Sequence, residues 1–166
     1  MRLRAPREED IPAIVRACAD PEIGRWTRVP HPYTREDASA WVALAESARA
    51  RGVALHLVIA GAEDDHLRGS IGIELRSRPV PHGELGYWVA SEERGQGLAA
   101  RAVRLLAGWA LEDLALPRLE IHVQPANEPS RAVAREAGFE LESTRPIEFK
   151  GRVSEFEVYV RNERER

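Results

Sequence analysis

The sequence predicts an α+β fold: a mixed, largely antiparallel sheet with helices on both faces. Three observations carry that prediction. The segments read β-α-α-β-β-β-α-β-α-β-β in chain order, a pattern that suits a sheet covered by helices. A strand–helix–strand crossover between Glu84 and Val123 requires its two strands to run parallel. The chain then closes on two strands joined by a turn at Lys150-Gly151-Arg152.

Each element has its own signal. Leu3 to Ala5 is a short strand. Ile11, Ile14, Val15 and Cys18 fall at i, i+3, i+4, i+7, one face of a short helix with Asp10 as its cap. Asp20 to Pro32 reads as a long loop containing Trp26. Thr34 and Asp37 form a capping box before a helix whose buried face is Trp41, Leu44, Ala45 and Ala48, ending before Gly52. Val53 to Ala60 and Ser70 to Arg76 are strands separated by a turn at Gly61 to Asp65, and Pro79 to Gly83 is a connector. Glu84 to Ala90 alternates Leu85, Tyr87 and Val89 on one face with Glu84, Gly86 and Trp88 on the other. Leu98, Ala102, Leu105, Leu106 and Trp109 line one face of the most amphipathic helix, with Pro117 beyond its end. Leu119 to Val123 is a strand, Asn127 to Ala137 a helix stopped by Gly138, and Glu140–Phe149 and Val153–Val160 the closing strands.

Composition bounds the function. The 166 residues suffice for one core, and no internal repeat appears, so residues 1–160 are expected to form one domain followed by a charged tail at 161–166. With 43% hydrophobic and 31% charged residues the chain is an ordinary globular one. No apolar run approaches the roughly 20 residues of a membrane span, and the N-terminus lacks a signal-peptide pattern. The single cysteine, Cys18, excludes an internal disulfide and a cysteine metal cluster, and the expected location is cytoplasmic. A net charge of −3 offers nothing to nucleic acid.

The stretch Arg94-Gly95-Gln96-Gly97-Leu98-Ala99 lies between a strand and the opening of the amphipathic helix. Glycines and alanines admit a ligand close to the backbone. First-turn N–H groups lack helical partners, and the dipole adds positive charge, so this is a site for a phosphate or pyrophosphate. A plain strand-to-helix turn is the alternative. No Lys-Ser/Thr pair follows, as a nucleotide P-loop would need.

Arg94-x-x-Gly97-x-Ala99 resembles the Gln/Arg-x-x-Gly-x-Gly/Ala signature of the GNAT superfamily of acetyltransferases. Gly83 to Val89 is similar to the strand that carries acetyl-CoA there. Asn127-Glu128-Pro129-Ser130 with Ala137-Gly138-Phe139 is similar to the Asn-x-x-Ser…Gly-Phe pattern of its RimJ/RimL-type branch. The resemblance covers roughly residues 1–160 and implies a GNAT-like fold with acetyl-CoA as cosubstrate. It implies that backbone N–H groups of Gly95, Gln96, Gly97, Leu98, Ala99 and Ala100, following Arg94, hold the pyrophosphate. It further implies that the backbone of Trp88, Val89 and Ala90 pairs with the pantetheine arm and that Asn127 hydrogen-bonds that arm. Ser130 would serve the departing thiolate. Many GNAT enzymes place a tyrosine thiol donor where this chain has Ala134, which shifts that role toward Ser130, and Glu136 replaces a lysine common just before Gly-Phe.

Direct attack by an amine needs a proton acceptor, because amines are mostly protonated at neutral pH. Glu84 is the first candidate and Glu120, on the next parallel strand, the second; an exposed structural carboxylate is the alternative for either. His122 shares the face of Glu120. Trp26, His31 and Tyr33 are candidates for the acceptor site, with packing onto the sheet as the alternative. Trp41 and Trp109 are expected in the core. Arg131 and Arg135 are candidates for the 3′-phosphate or simply solvated charges. The expected partner is an amine, with a protein N-terminus first and a small amine or a longer acyl-CoA as the runner-up; a non-catalytic acyl-CoA sensor is the rival class. No metal, nucleic acid or membrane is expected, and a homodimer stays open.

Overall fold

The computed structural model describes residues 1–77 and 80–163. Pro79 of the expected connector, and the last three residues of the expected tail, lie outside them. Seven strands form one sheet in the order β1-β2-β3-β4-β5-β7-β6: β1 (Arg2–Arg4), β2 (Ala54–Ala60), β3 (Leu67–Arg76), β4 (His82–Val89), β5 (Arg118–Val123), β6 (Glu140–Phe149) and β7 (Arg152–Asn162). The helices are α1 (Ile11–Cys18), α2 (Pro21–Trp26), α3 (Arg35–Ala50), α4 (Leu98–Glu112) and α5 (Glu128–Glu136). The crossover pair is parallel as expected, with Gly83 opposite Leu119 and Glu84 opposite Glu120. The pairs β1–β2, β5–β7 and β6–β7 are antiparallel. No described helix is long and apolar enough to cross a membrane.

Residue contacts divide the chain into two compact units, Met1–Ile73 with Tyr87–Leu98 and Glu74–Gly86 with Ala99–Arg166. In the first, Ile11, Ile14, Cys18, Ile23 and Ala38 are buried together, and Tyr33, Trp41 and Trp88 pack against them. Burial pushes the Cys18 thiol up to about 12, so this cysteine is an inert packing residue. The capping box of α3 forms: Thr34 accepts from the Asp37 N–H and Asp37 from the Thr34 N–H. Asp10 does not cap α1 with its side chain. It accepts instead from the Arg7 N–H and takes Arg4 through both carboxylate oxygens at 2.7 Å.

The expected Asp20–Pro32 loop begins with a helix. Asp20 caps α2 by accepting from the Glu22 N–H at 3.0 Å, and Pro21 occupies the first turn, where its missing N–H costs nothing. Gly24 permits close packing, since a Cβ there would stand 2.9 Å from that of His31.

In the second unit β7 pairs with both β5 and β6, with a register shift between Leu141 and Ser143. It runs to Asn162, two residues into the expected tail. Leu98, Ala102 and Leu106 of the expected α4 face are buried, and two of its large residues are not. Ala102, Val103, Leu106, Ala107 and Ala110 are buried, whereas Leu105 is 54% and Trp109 38% exposed. Val103, Ala107 and Ala110 complete the buried face in place of Leu105 and Trp109, so Trp109 is not a core residue.

Candidate active site

Between β4 and α4 the chain makes a 3-10 turn, Ser91–Glu93, and then the glycine loop. Gly95 and Gly97 have φ of +74° and +67°, a left-handed backbone that costs other residues roughly 1–2 kcal/mol. A Cβ built on either glycine meets nothing within 4 Å, so the space beside both is open. Open backbone at the positive end of a 15-residue helix fits the pyrophosphate of acetyl-CoA. Gln96 lies exposed in this loop, Leu98 and Ala100 are buried, and Ala99 is half-buried.

Arg94 is engaged by two neighbours. Its Nη2 bonds Asp20 at 2.6 Å and its Nε donates to the Val89 carbonyl at 3.1 Å. The Glu22 N–H, and then Arg94, hold the Asp20 carboxyl below its usual range. Glu93 takes Arg68 at 2.9 Å. The loop is thus tied to the end of β4, to the cap of α2 and to β3. Of the backbone expected to pair with pantetheine, the Ala90 N–H is already donated to the Arg68 carbonyl, and the Ala90 carbonyl accepts from Glu93. Trp88 packs against the core of the first unit, and its carbonyl lies so close to β3 that a Cβ on Gly69 would stand 2.4 Å from it.

The second unit brings Glu84, Glu120 and His122 together. His122 Nε2 lies 2.7 Å from Glu120 Oε2, and its Nδ1 lies 3.5 Å from Glu84 Oε1. Glu120 also accepts from Arg118 Nε at 2.8 Å and Arg145 Nη2 at 2.7 Å, with His82 Nε2 at 3.8 Å. Burial would raise the Glu120 carboxyl, but bonds from His122 and Arg118, with the charges of His82 and Arg145, hold it down to about 2. A carboxylate so engaged is a poor proton acceptor. Glu84 is more open and meets Arg76 Nε at 3.2 Å as well as His122. Of the two candidate carboxylates, Glu84 is the more exposed, at 24% of its side chain against 4% for Glu120. Sequence reasoning missed Arg76, His82, Arg118 and Arg145; the alternation Arg118, Glu120, His122 on one strand face was the available signal. Among the described residues, no group of His, Cys, Asp and Glu is placed to hold a metal ion.

Asn127 caps α5, its Oδ1 accepting from the Ser130 N–H at 3.3 Å. That puts half-buried Ser130 in the first turn of the helix. Arg131 next to it bonds Glu128 and, at 2.8 Å, Glu157, which also accepts from buried Tyr159. Arg135 lies 5.9 Å from the Tyr159 ring. Ala134 is wholly buried.

Of the acceptor candidates, Tyr33 packs on the first unit's core, and burial pushes its hydroxyl above the usual range. Trp26 donates its indole N–H to Glu22 at 2.9 Å, and Arg25 stacks 4.4 Å from its ring. His31 is exposed and follows α2.

The acetyltransferase (GNAT) domain family matches residues 1–140. Bacillus subtilis YdaF, provisionally named a ribosomal N-acetyltransferase, is 38% identical over 76 residues, 46% of this chain and 42% of that protein. The chain therefore matches less than half of that relative's length. Mycobacterium smegmatis RimJ, solved with CoA-disulfide, superposes with a TM-score of 0.81 at 23% identity over 96% of this chain and 80% of that one. The spermidine N-acetyltransferase of Vibrio cholerae, solved with CoA and spermine, gives 0.79 at 19% identity over 98% and 95%. At such identities the superpositions speak to the fold.

Proposed function

This chain belongs to the GNAT acetyltransferase family, and from that premise we propose that it moves the acetyl group of acetyl-CoA to a primary amine by direct attack, with a protein N-terminus as the preferred acceptor. The observation that carries the reading is the glycine pair at positive φ, open above and set at the start of α4. Bound acetyl-CoA supplies the acetyl thioester. Backbone N–H groups from Gly95 to Ala100 hold its pyrophosphate; Arg94 serves by pinning the loop. Glu84 removes a proton from the ammonium, directly or through water, and the amine nitrogen then attacks the thioester carbon. The Ser130 hydroxyl hydrogen-bonds the sulfur as the carbon–sulfur bond breaks, where charge is growing. Asn127 holds Ser130 in place as the helix cap and offers its amide to the pantetheine arm. Trp26, Tyr33 and Glu120 act on the acceptor side through packing and charge. A cytoplasmic location accords with this reading.

The name of YdaF supports a ribosomal or other protein amine, while the spermidine enzyme supplies the competing acceptor class. Release of free thiol from acetyl-CoA, measured with N-terminal peptides and with spermidine, tests the proposal. Peptides are expected to turn over faster. Preference for spermidine over every peptide would overturn the acceptor. Binding of acetyl-CoA without thiol release on any amine would favour a sensor.

A further inference from the structure

We propose that His122 is a positioning residue that carries the amine's proton away from Glu84, set between that carboxylate and buried Glu120. The inference rests on the reading of Glu84 as the proton acceptor. Three features of the second unit support it. The imidazole is within hydrogen-bond distance of Glu120, at 2.7 Å, and within ion-pair distance of Glu84, at 3.5 Å. Glu120 is 3% exposed and held by Arg118 and Arg145, so its position is fixed by groups on β5 and β6. With its Nε2–H donated to that anchor, the ring has Nδ1 left to take a proton from Glu84; with Nε2 accepting from Arg145 it does not, and the tautomer is set by which partner holds Nε2. The ring itself is mostly shielded, with 14% of the side chain exposed.

The step balances without another reactant. An N–H bond of the ammonium breaks as an O–H bond forms on Glu84. That O–H then breaks as an N–H bond forms at His122 Nδ1, which restores the Glu84 carboxylate and leaves an imidazolium between two anions. Water takes the proton afterwards. The cations facing this group favour that release: Arg145 Nη2 lies 3.4 Å from His122 Nε2, and Arg76 Nε lies 3.2 Å from Glu84. Arg118 and His82 approach through Glu120, and Glu142 offsets Arg118 from β6. A purely structural histidine would cross-link the strands without affecting proton transfer.

Two measurements separate these roles. In nitrogen-15 spectra, the His122 titration midpoint is expected to differ between wild type and Glu84→Gln by about half a pH unit or more, because interacting sites titrate as a pair. An identical midpoint overturns the proposal, and this readout needs no catalysis. In kinetics, His122→Phe is expected to lower kcat by about 10-fold or more, to leave the KM for acetyl-CoA within about twofold, and to remove one ionisation from the pH–kcat profile. His122→Gln should lose less. A folded His122→Phe with wild-type kcat and pH profile overturns the proposal too. If that variant does not fold, the Glu84→Gln titration decides. Failure of the wild type to acetylate any amine sinks the parent reading and leaves the coupling of His122 to Glu84 measurable.

Discussion

Ser130 and Glu84 are expected to fail in different ways. Ser130→Ala removes a hydroxyl but keeps the N–H that Asn127 accepts, so the helix cap survives. Its kcat should fall roughly 10- to 1,000-fold while acetyl-CoA still binds, as expected for a contact made mainly in the transition state. Full kcat in that variant ends the thiolate role. Glu84→Gln should act on the amine side: the acid limb of the pH–rate profile shifts, and the defect shrinks at high pH, where free amine is abundant. Glu120→Ala is a different kind of change. It removes the buried carboxylate that Arg118, Arg145 and His122 share. Arg118 keeps Glu142 and Arg145 is 40% exposed, so the loss should fall below the roughly 3–5 kcal/mol of breaking a fully buried pair. Urea unfolding of this variant beside the wild type measures that loss. An unchanged midpoint and slope would mean that solvent replaces the carboxylate at no cost.

The glycine loop and the cap of α5 are each set by a few residues. Gly97→Val puts a branched side chain into the open space over the loop and strains a backbone at +67°. It should abolish the thermal stabilisation that acetyl-CoA gives, and ATP or NAD should not substitute for acetyl-CoA in the wild type. Wild-type affinity in Gly97→Val would remove the pyrophosphate from this loop. Asn127→Ala should cost about 0.5–2 kcal/mol through the lost cap and lower kcat as well, because Ser130 loses its anchor. The short helix α2 had a legible signal in Asp20-Pro21, a capping residue followed by proline. At six residues, with Gly24 inside it and Pro30 and Pro32 soon after, it gave too little periodicity to be read as a helix.

For the molecule as a whole, acetyl-CoA at about 100 times its Kd should add about 2.7 kcal/mol to the stability of the native state, visible as a higher Tm. Acid acts in the opposite sense through the carboxylates. Glu120 is held down to about 2 in the folded protein, against an unfolded value near 4.3. A carboxyl lowered by folding stabilises the native state at pH values above its unfolded value. That contribution declines below about pH 4.3 and is gone once pH passes below about 2. Asp20, Asp65 and Glu142 are lowered as well, in each case with arginine contributing. Stability measured from pH 6 to pH 2 should therefore fall most steeply below about pH 4.3, and Glu120→Gln should flatten that fall.

The amino-acid sequence by itself determined what depends on local order. The 2-residue and 3.6-residue periods place nearly every strand and helix, the crossover from Glu84 to Val123 requires a parallel pair, and the glycines before Leu98 mark the opening of α4. The motifs around Gly97 and Ser130 were legible because each lies within a few consecutive residues. Tertiary structure decided the rest. Which large residues of α4 are buried depends on how closely its neighbours approach: Leu98 and Leu106 are, Leu105 and Trp109 are not. The different surroundings of Glu84 and Glu120 depend on arginines at 76, 118 and 145, which strand pairing gathers from β3, β5 and β6. A carboxylate's basicity is set by its burial and by the charges within a few ångströms, and those distances exist only once the sheet has formed.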